Sequence, residues 1–303
     1  MIYTITFNPA IDYIMYLDGY HSGEVNRSRA EKALAGGKGI NVSTVLKNLG
    51  VDNTAMGFIA GFTGRQIETM LAEAGIRTEL VELEKGMTRI NVKLKALEET
   101  EINGCGPDIP PEAVEELLKR LASLKEDDYL VMAGSIPQSL PSSMYRDIMQ
   151  SLDGRGINTV VDATGKLLEN TLPYRPFLIK PNHHELGEIF GRTLSDTEDI
   201  VECARKMQER GARNVLVSRA GEGAVLVSEN GGVYQSLPPE GRVVNSTGAG
   251  DSMVAGFLAG YTESGDYETA FLMGLCAGSA SAFSEGLASG ADIRALYEKM
   301  RCR

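Results

Sequence analysis

Short apolar and β-branched runs recur along the chain: "IYTITF", "NTAMGFI", "DYLVMAG", "NTVVDAT", "PFLIKPN" and "RNVLVS". Turn residues follow each run, and then apolar positions at three- and four-residue spacing. Segments such as "PPEAVEELLKRLASL" and "DIVECARKMQERG" end in basic residues or glycine, as amphipathic helices do. This alternation predicts an α/β fold, a doubly wound and mostly parallel sheet with helices on both faces. Another strand is predicted for "RVVNS". The helix after it carries an apolar stripe of Met253, Val254, Phe257, Leu258 and Tyr261.

Two regions break the rhythm. Residues 11–34 are rich in tyrosine, glycine and charge. In Thr88–Gly104, apolar Ile90, Val92, Leu94 and Ala96 alternate with Arg89, Asn91, Lys93 and Lys95. Alternation of period two predicts a small sheet with one apolar and one wet face. Such a sheet is either a surface hairpin or a cover over a ligand or against another subunit. No Pro- or Ser-rich linker and no repeat divides the 303 residues, so residues 1–303 read as one domain.

Composition narrows the class of partner. With 41 acidic against 30 basic residues and a net charge of −11, the chain lacks the basic stripe that nucleic acid requires. Four scattered cysteines without a CxxC pair point to neither zinc nor a disulfide framework. The start resembles no signal peptide, and no apolar stretch is long enough for a bilayer. A soluble cytoplasmic protein is expected.

Four stretches carry candidate chemistry. In "NSTGAGD", Gly248, Ala249 and Gly250 precede Asp251 at a predicted helix start. Free backbone amides there form an anion site. Asp251 either caps the helix or acts as a base beside a bound phosphate. In "AGGKGINV", Gly37, Lys38 and Asn41 offer a flexible backbone and one cation for a sugar or its phosphate; a tight turn would also use the glycines. In "IKPNHHEL", Asn182 and Glu185 lie one helical turn apart, as oxygen ligands for hydrated magnesium or as an ordinary helix start. In "VLVSRAGEGAVLV", Ser218, Gly221 and Gly223 form a turn between apolar strands that can lie against a nucleotide. Neither GxGxxG nor GxxxxGK[ST] is present.

Taken in order, "NPAID", "AGGKGINV", "TRINVK", "AGSIP", "KPNHHEL" and "NSTGAGD" span nearly the whole chain. Together they resemble the ribokinase-like (B-type phosphofructokinase) carbohydrate kinases, in the branch of 1-phosphofructokinases and tagatose-6-phosphate kinases. The resemblance implies one kinase domain with a small β lid from residues of about 11–34 and 87–105. It implies ATP and Mg2+ as cofactors and a sugar phosphate as partner, while the apolar face of the lid suits a homodimer through the lid. By position, Asp251 becomes the catalytic base, and the amides of Gly248, Ala249 and Gly250 become the anion hole. Asp12, Gly37, Lys38 and Asn41 would hold the sugar; Arg89, Ser135 and Arg27 would hold its phosphate. Asn182 and Glu185 would position magnesium. Lys180, Asn182, Ser218, Gly221, Gly223 and Ser279 would fall on the nucleotide side. Ser246 stands where many relatives carry an aspartate. The implied reaction is ATP-dependent phosphorylation of fructose 1-phosphate, with tagatose 6-phosphate or fructose 6-phosphate as alternatives. A non-catalytic sugar-phosphate or nucleotide sensor is the reading from another class.

Overall fold

The structure is a computed structural model and describes residues 1–302. The chain starts with β1 (Ile2–Thr6), then forms β2 (Ala10–Tyr16) and β3 (Ala30–Gly36) of a second sheet. It continues through α1 (Lys38–Asn48), β4 (Asn53–Ala60), α2 (Gly61–Glu73) and β5 (Arg77–Leu83). After returning to the second sheet as β6 (Arg89–Lys95) and β7 (Glu99–Asn103), it adds α3 (Pro111–Leu121), β8 (Tyr129–Ala133), α4 (Met144–Ser151) and β9 (Asn158–Asp162). Next come α5 (Gly165–Glu169), β10 (Leu178–Ile179), α6 (His183–Phe190), α7 (Thr197–Glu209), β11 (Asn214–Ser218), β12 (Ala224–Val227) and β13 (Val233–Ser236). Three helices close the chain: α8 (Ala249–Ser264), α9 (Tyr267–Ala282) and α10 (Gly290–Arg301).

The large sheet has nine strands in the order β13-β12-β11-β10-β9-β8-β1-β4-β5, parallel from β11 to β5. The pairings β11–β12 and β12–β13 are antiparallel, so β12 alone runs against the other strands. The inner strands of the sheet read as apolar runs because both faces are covered, whereas the edge strands β5 and β13 are partly exposed. In β8, Leu130 and Met132 enter a core shared with α3, α4 and α7, while Val131 and Ala133 enter one shared with α1, α8 and α9. From β1 the chain first builds outward through β4 and β5, then crosses to β8 on the other side. The order therefore reverses between β1 and β8, where α/β sheets open a crevice beyond their C-terminal strand ends.

The second sheet has the order β3-β2-β6-β7, so the two irregular regions do combine. Its faces differ from expectation. Ile90 packs with Ile11 against Ile40, Ile59, Ile67 and Leu71 of the body, as an apolar face should. Yet Asn91 and Lys93, expected on the wet face, are each only 8% exposed. They are covered because β6 pairs with β2 in a register that sets Asn91 beside Asp12. "RVVNS" is also not a strand. Val243 and Val244 are exposed, and the amides of Val244 and Asn245 bond the Ala282 carbonyl at the end of α9 instead of a neighbouring strand. Among the described residues, no helix is long and apolar enough to cross a membrane. All four cysteines are free.

Candidate active site

Two helix starts converge at the crevice. Helix α8 begins after Gly248, which takes φ 80°, a left-handed conformation that glycine adopts without steric cost. No side chain caps this helix. Asp251, in its first turn, is 5% exposed, and its Oδ2 accepts a 2.8 Å hydrogen bond from Asn41 Nδ2. The capping reading of Asp251 does not hold: its carboxylate is turned to α1 and does not close its own helix. Helix α1 likewise starts after a glycine without a side-chain cap, Gly37 at φ 119°. A Cβ on Gly37 would come within 2.6 Å of Thr6 Cγ2. The Thr6 hydroxyl, at the end of β1, accepts from Ile40 N at 3.0 Å and seats the helix on the sheet. Ile40 N is taken by Thr6 and Ala249 N by the Ser246 carbonyl; the remaining first-turn amides, with two helix dipoles behind them, favour anions here.

The charges between these helices are arranged around Asp162, the last residue of β9. Its Oδ2 lies 3.0 Å from Lys38 Nζ and its Oδ1 lies 3.2 Å from Lys180 Nζ. Burial alone would raise the Asp162 carboxyl, but Lys180 and Lys38 outweigh it and hold the group below its ordinary value. Burial would lower the Lys38 ammonium, yet Asp162, Asp251 and Glu185 keep it above its usual value. Asp251 goes the other way. Burial first and the Asp162 charge second raise it to about 6, against the pull of Lys38, Asn41 and Lys180. A carboxyl tuned towards neutral pH in a cleft has the profile of a general base.

The other expected positions divide between the cavities at this centre and the elements beside it. Ser135 shares a 550 Å³ cavity with Lys38, Gly134, Asp162 and Thr164. Asp12 and Asn41 share a neighbouring 510 Å³ cavity with Lys93, Thr247 and Leu287. Asp12 is gripped by Asn91 Nδ2 at 2.9 Å and Lys93 Nζ at 3.2 Å. Arg89 is half buried, with its Nε donating to the Asn8 carbonyl at 3.1 Å. Burial lowers its guanidinium somewhat, and Asp12 opposes the change. Gly250 faces Lys180: a Cβ there would stand 3.2 Å from Nζ. Ser279 is buried on α9, beside Gly278, which packs against the Ala249 carbonyl. Ser218 forms a β-bridge to Asn182, and Gly221 and Gly223 make the turn after β11. Arg27 is the exception: it is exposed on the connection between β2 and β3 and contacts none of these groups.

Asn182 and Glu185 form a reciprocal capping box on α6. Asn182 Oδ1 accepts from Glu185 N at 2.9 Å, and Glu185 Oε2 accepts from Asn182 N at 2.8 Å. The helix-start reading therefore holds for the single side-chain oxygen of Asn182 and for one of the two of Glu185. Among the described residues, no group of three or more His, Cys, Asp or Glu forms a metal cage.

Sequence reasoning missed Asp162, Asn91 and Lys93. Asp162 had one signal, a lone acid closing an apolar strand just before Thr and Gly; Asn91 and Lys93 looked like ordinary wet-face residues.

Residues 5–294 match the pfkB family carbohydrate kinases. The chain belongs to that family. It is therefore a carbohydrate kinase, a phosphotransferase that uses ATP and an alcohol acceptor. Among its relatives, the Bacillus subtilis 1-phosphofructokinase is 46% identical over 301 residues, which cover 99% of each chain. A D-tagatose-1-phosphate kinase of Bacillus licheniformis is 37% identical, over 95% of this chain and 94% of that one. Phosphofructokinase-2 of Escherichia coli, solved in complex with fructose-6-phosphate, superposes with a TM-score of 0.92 at 27% identity over 99% of both chains.

Proposed function

We propose that this kinase transfers the terminal phosphoryl group of ATP to the 6-hydroxyl of fructose 1-phosphate, giving fructose 1,6-bisphosphate. The observation that carries the chemistry is Asp251, an uncapping carboxylate raised to about 6 beside glycine-lined amides. Asp251 takes the proton as the hydroxyl attacks, and the amides of Gly248, Ala249 and Gly250 with Lys180 receive the charge of the transferring group. Asp12, Gly37, Lys38 and Asn41 orient the sugar. Arg89 and Ser135 hold its phosphate, with Arg27 joining if its connection folds inward. Lys180, Asn182, Ser218, Gly221, Gly223 and Ser279 serve the nucleotide.

Magnesium fits this site as a hydrated ion. The capping box leaves Glu185 Oε1 free, and an all-oxygen donor set without a cage suits a metal that keeps its waters. When bound near Asn182 and Glu185, it would neutralise charge on the nucleotide phosphates.

The substrate is supported by the 46% identical relative that bears the 1-phosphofructokinase name. A second reading, tagatose 1-phosphate, is favoured by the D-tagatose-1-phosphate kinase at 37%. Tagatose 6-phosphate and fructose 6-phosphate complete the panel. ADP release measured across these four sugar phosphates tests the assignment: kcat/KM should be highest for fructose 1-phosphate. Preference for a 6-phosphate would displace that substrate, and binding without ADP release would mean a sensor.

The kinase domain spans residues 1–303, with the small sheet as its lid over about 11–34 and 87–105, and works in the cytoplasm. A homodimer through the lid is supported by exposed Tyr20, Val25, Leu97 and Ile102. Sedimentation of Leu97→Asp beside the parent chain tests it; identical masses for both would remove the lid from the interface.

A further inference from the structure

We propose that Asp162 is a positioning residue, whose single carboxylate fixes a sugar-side lysine and a nucleotide-side lysine at once. Asp162 is 3% exposed and ends a central strand, so its backbone cannot shift without disturbing β8 and β10. A carboxylate this deep is costly unless paired. Here each oxygen takes a different lysine, Oδ2 with Lys38 and Oδ1 with Lys180. Lys38 opens α1, and Asn41 on the same helix bonds Asp251. Lys180 reaches the floor under Gly250. Neither lysine is held by another ion pair of its own, whereas each long side chain has several rotamers to lose. The carboxylate thus sets the spacing between the two halves of the site.

The same charge acts on Asp251. The groups that face Asp251 are Lys38 and Asn41 from α1, Asp162 from β9 and Lys180 after β10; Glu185 of α6 faces Lys38. Only Asp162 among them pushes the base upward, so neutralising it lowers the proton affinity of Asp251.

The inference rests on Asp251 as the base, and two variants keep the questions apart. Asp251→Asn tests the base alone. Asp162→Asn should raise KM for sugar phosphate and for ATP together, each by about tenfold, as loss of a charge-assisted contact on both sides requires. It should also move the acid limb of kcat/KM down by about one pH unit. By contrast, Lys38→Met should change mainly the sugar-phosphate KM and Lys180→Met mainly the ATP KM. If Asp162→Asn does not fold, Asp162→Glu keeps the charge and displaces it; both KM values should still rise while the acid limb stays. A variant with lowered thermal stability but unchanged KM values would assign Asp162 to structure only and overturn the proposal. An inactive Asp251→Asn beside an unaltered Asp162 variant would do the same without touching the assignment of the base.

Discussion

Two groups of helix starts in this molecule stand in contrast, while α2, α3, α4 and α5 follow Ala60, Pro110, Ser143 and Thr164 without a side-chain cap. Helices α7, α9 and α10 are closed by their own Asp196, Asp266 and Ser289, each accepting from an amide one turn on. Helix α6 goes further, with a full capping box. Helices α1 and α8 instead begin at glycines that offer no capping side chain, and lean on each other through Asn41 and Asp251; in α1 only Ile40 N finds a side chain, the Thr6 hydroxyl from β1. A helix that spends a carboxylate on its own amides has none left for a ligand; one that withholds it leaves both the amides and the acid available, as the proposed reaction needs. The difference lies in where the acid stands: at the N-cap in α9, three positions later in α8.

Exchanging the acid at α8 breaks this contrast most severely. Asp251→Asn should lower kcat by about a thousandfold with ATP affinity kept, since a base is lost and no amide is. A variant that keeps most of its rate would make Asp251 an ordinary buried acid. The wild-type kcat/KM should itself fall about tenfold per pH unit below about 6, the value to which burial raises Asp251. A profile flat to pH 4.5 would contradict this.

Gly248→Ala should come next, with a rate loss of about ten- to a hundredfold as the amide cradle shifts. Its φ of 80° strains any side chain, and a Cβ would meet Leu287 Cδ2 at 2.7 Å. Unchanged kcat would show that the cradle tolerates a different tip.

Stability sharpens the comparison further. The folded Asp251 titrates above its unfolded value, so its favourable contribution is complete below about pH 4 and disappears as pH rises through 6. Asp251→Asn should therefore gain on the order of 3 kcal/mol at pH 8, keep about half of this near pH 5, and lose it below about pH 4. Thermal melts at these pH values decide it. The smallest effect belongs to an ordinary cap: Asp266→Ala should cost about 1 kcal/mol and leave kcat unchanged.

The large sheet was legible because strands buried on both faces leave unbroken apolar runs. "RVVNS" imitates that signal with two β-branched residues, yet they remain exposed, and only the absence of an adjacent strand distinguishes it. The ends of the site were legible where glycines and one charged residue coincide, at Gly37–Lys38 and Gly248–Asp251. Its centre was not. Asp162 lies 124 residues from Lys38 in sequence, and Asn41 lies 210 from Asp251, so strand order alone brings them together. For Asn91 and Lys93, alternation separated two faces of β6 but could not reveal that Asp12 stood opposite.

Strand β3 ends at Gly36 and helix α1 begins at Lys38, so a single glycine joins the small sheet to the cationic end of that helix. There is no slack in this joint. A tilt of the sheet about Gly37 would carry the lysine ammonium with it, so the position of that charge and the pitch of the small sheet are one coordinate.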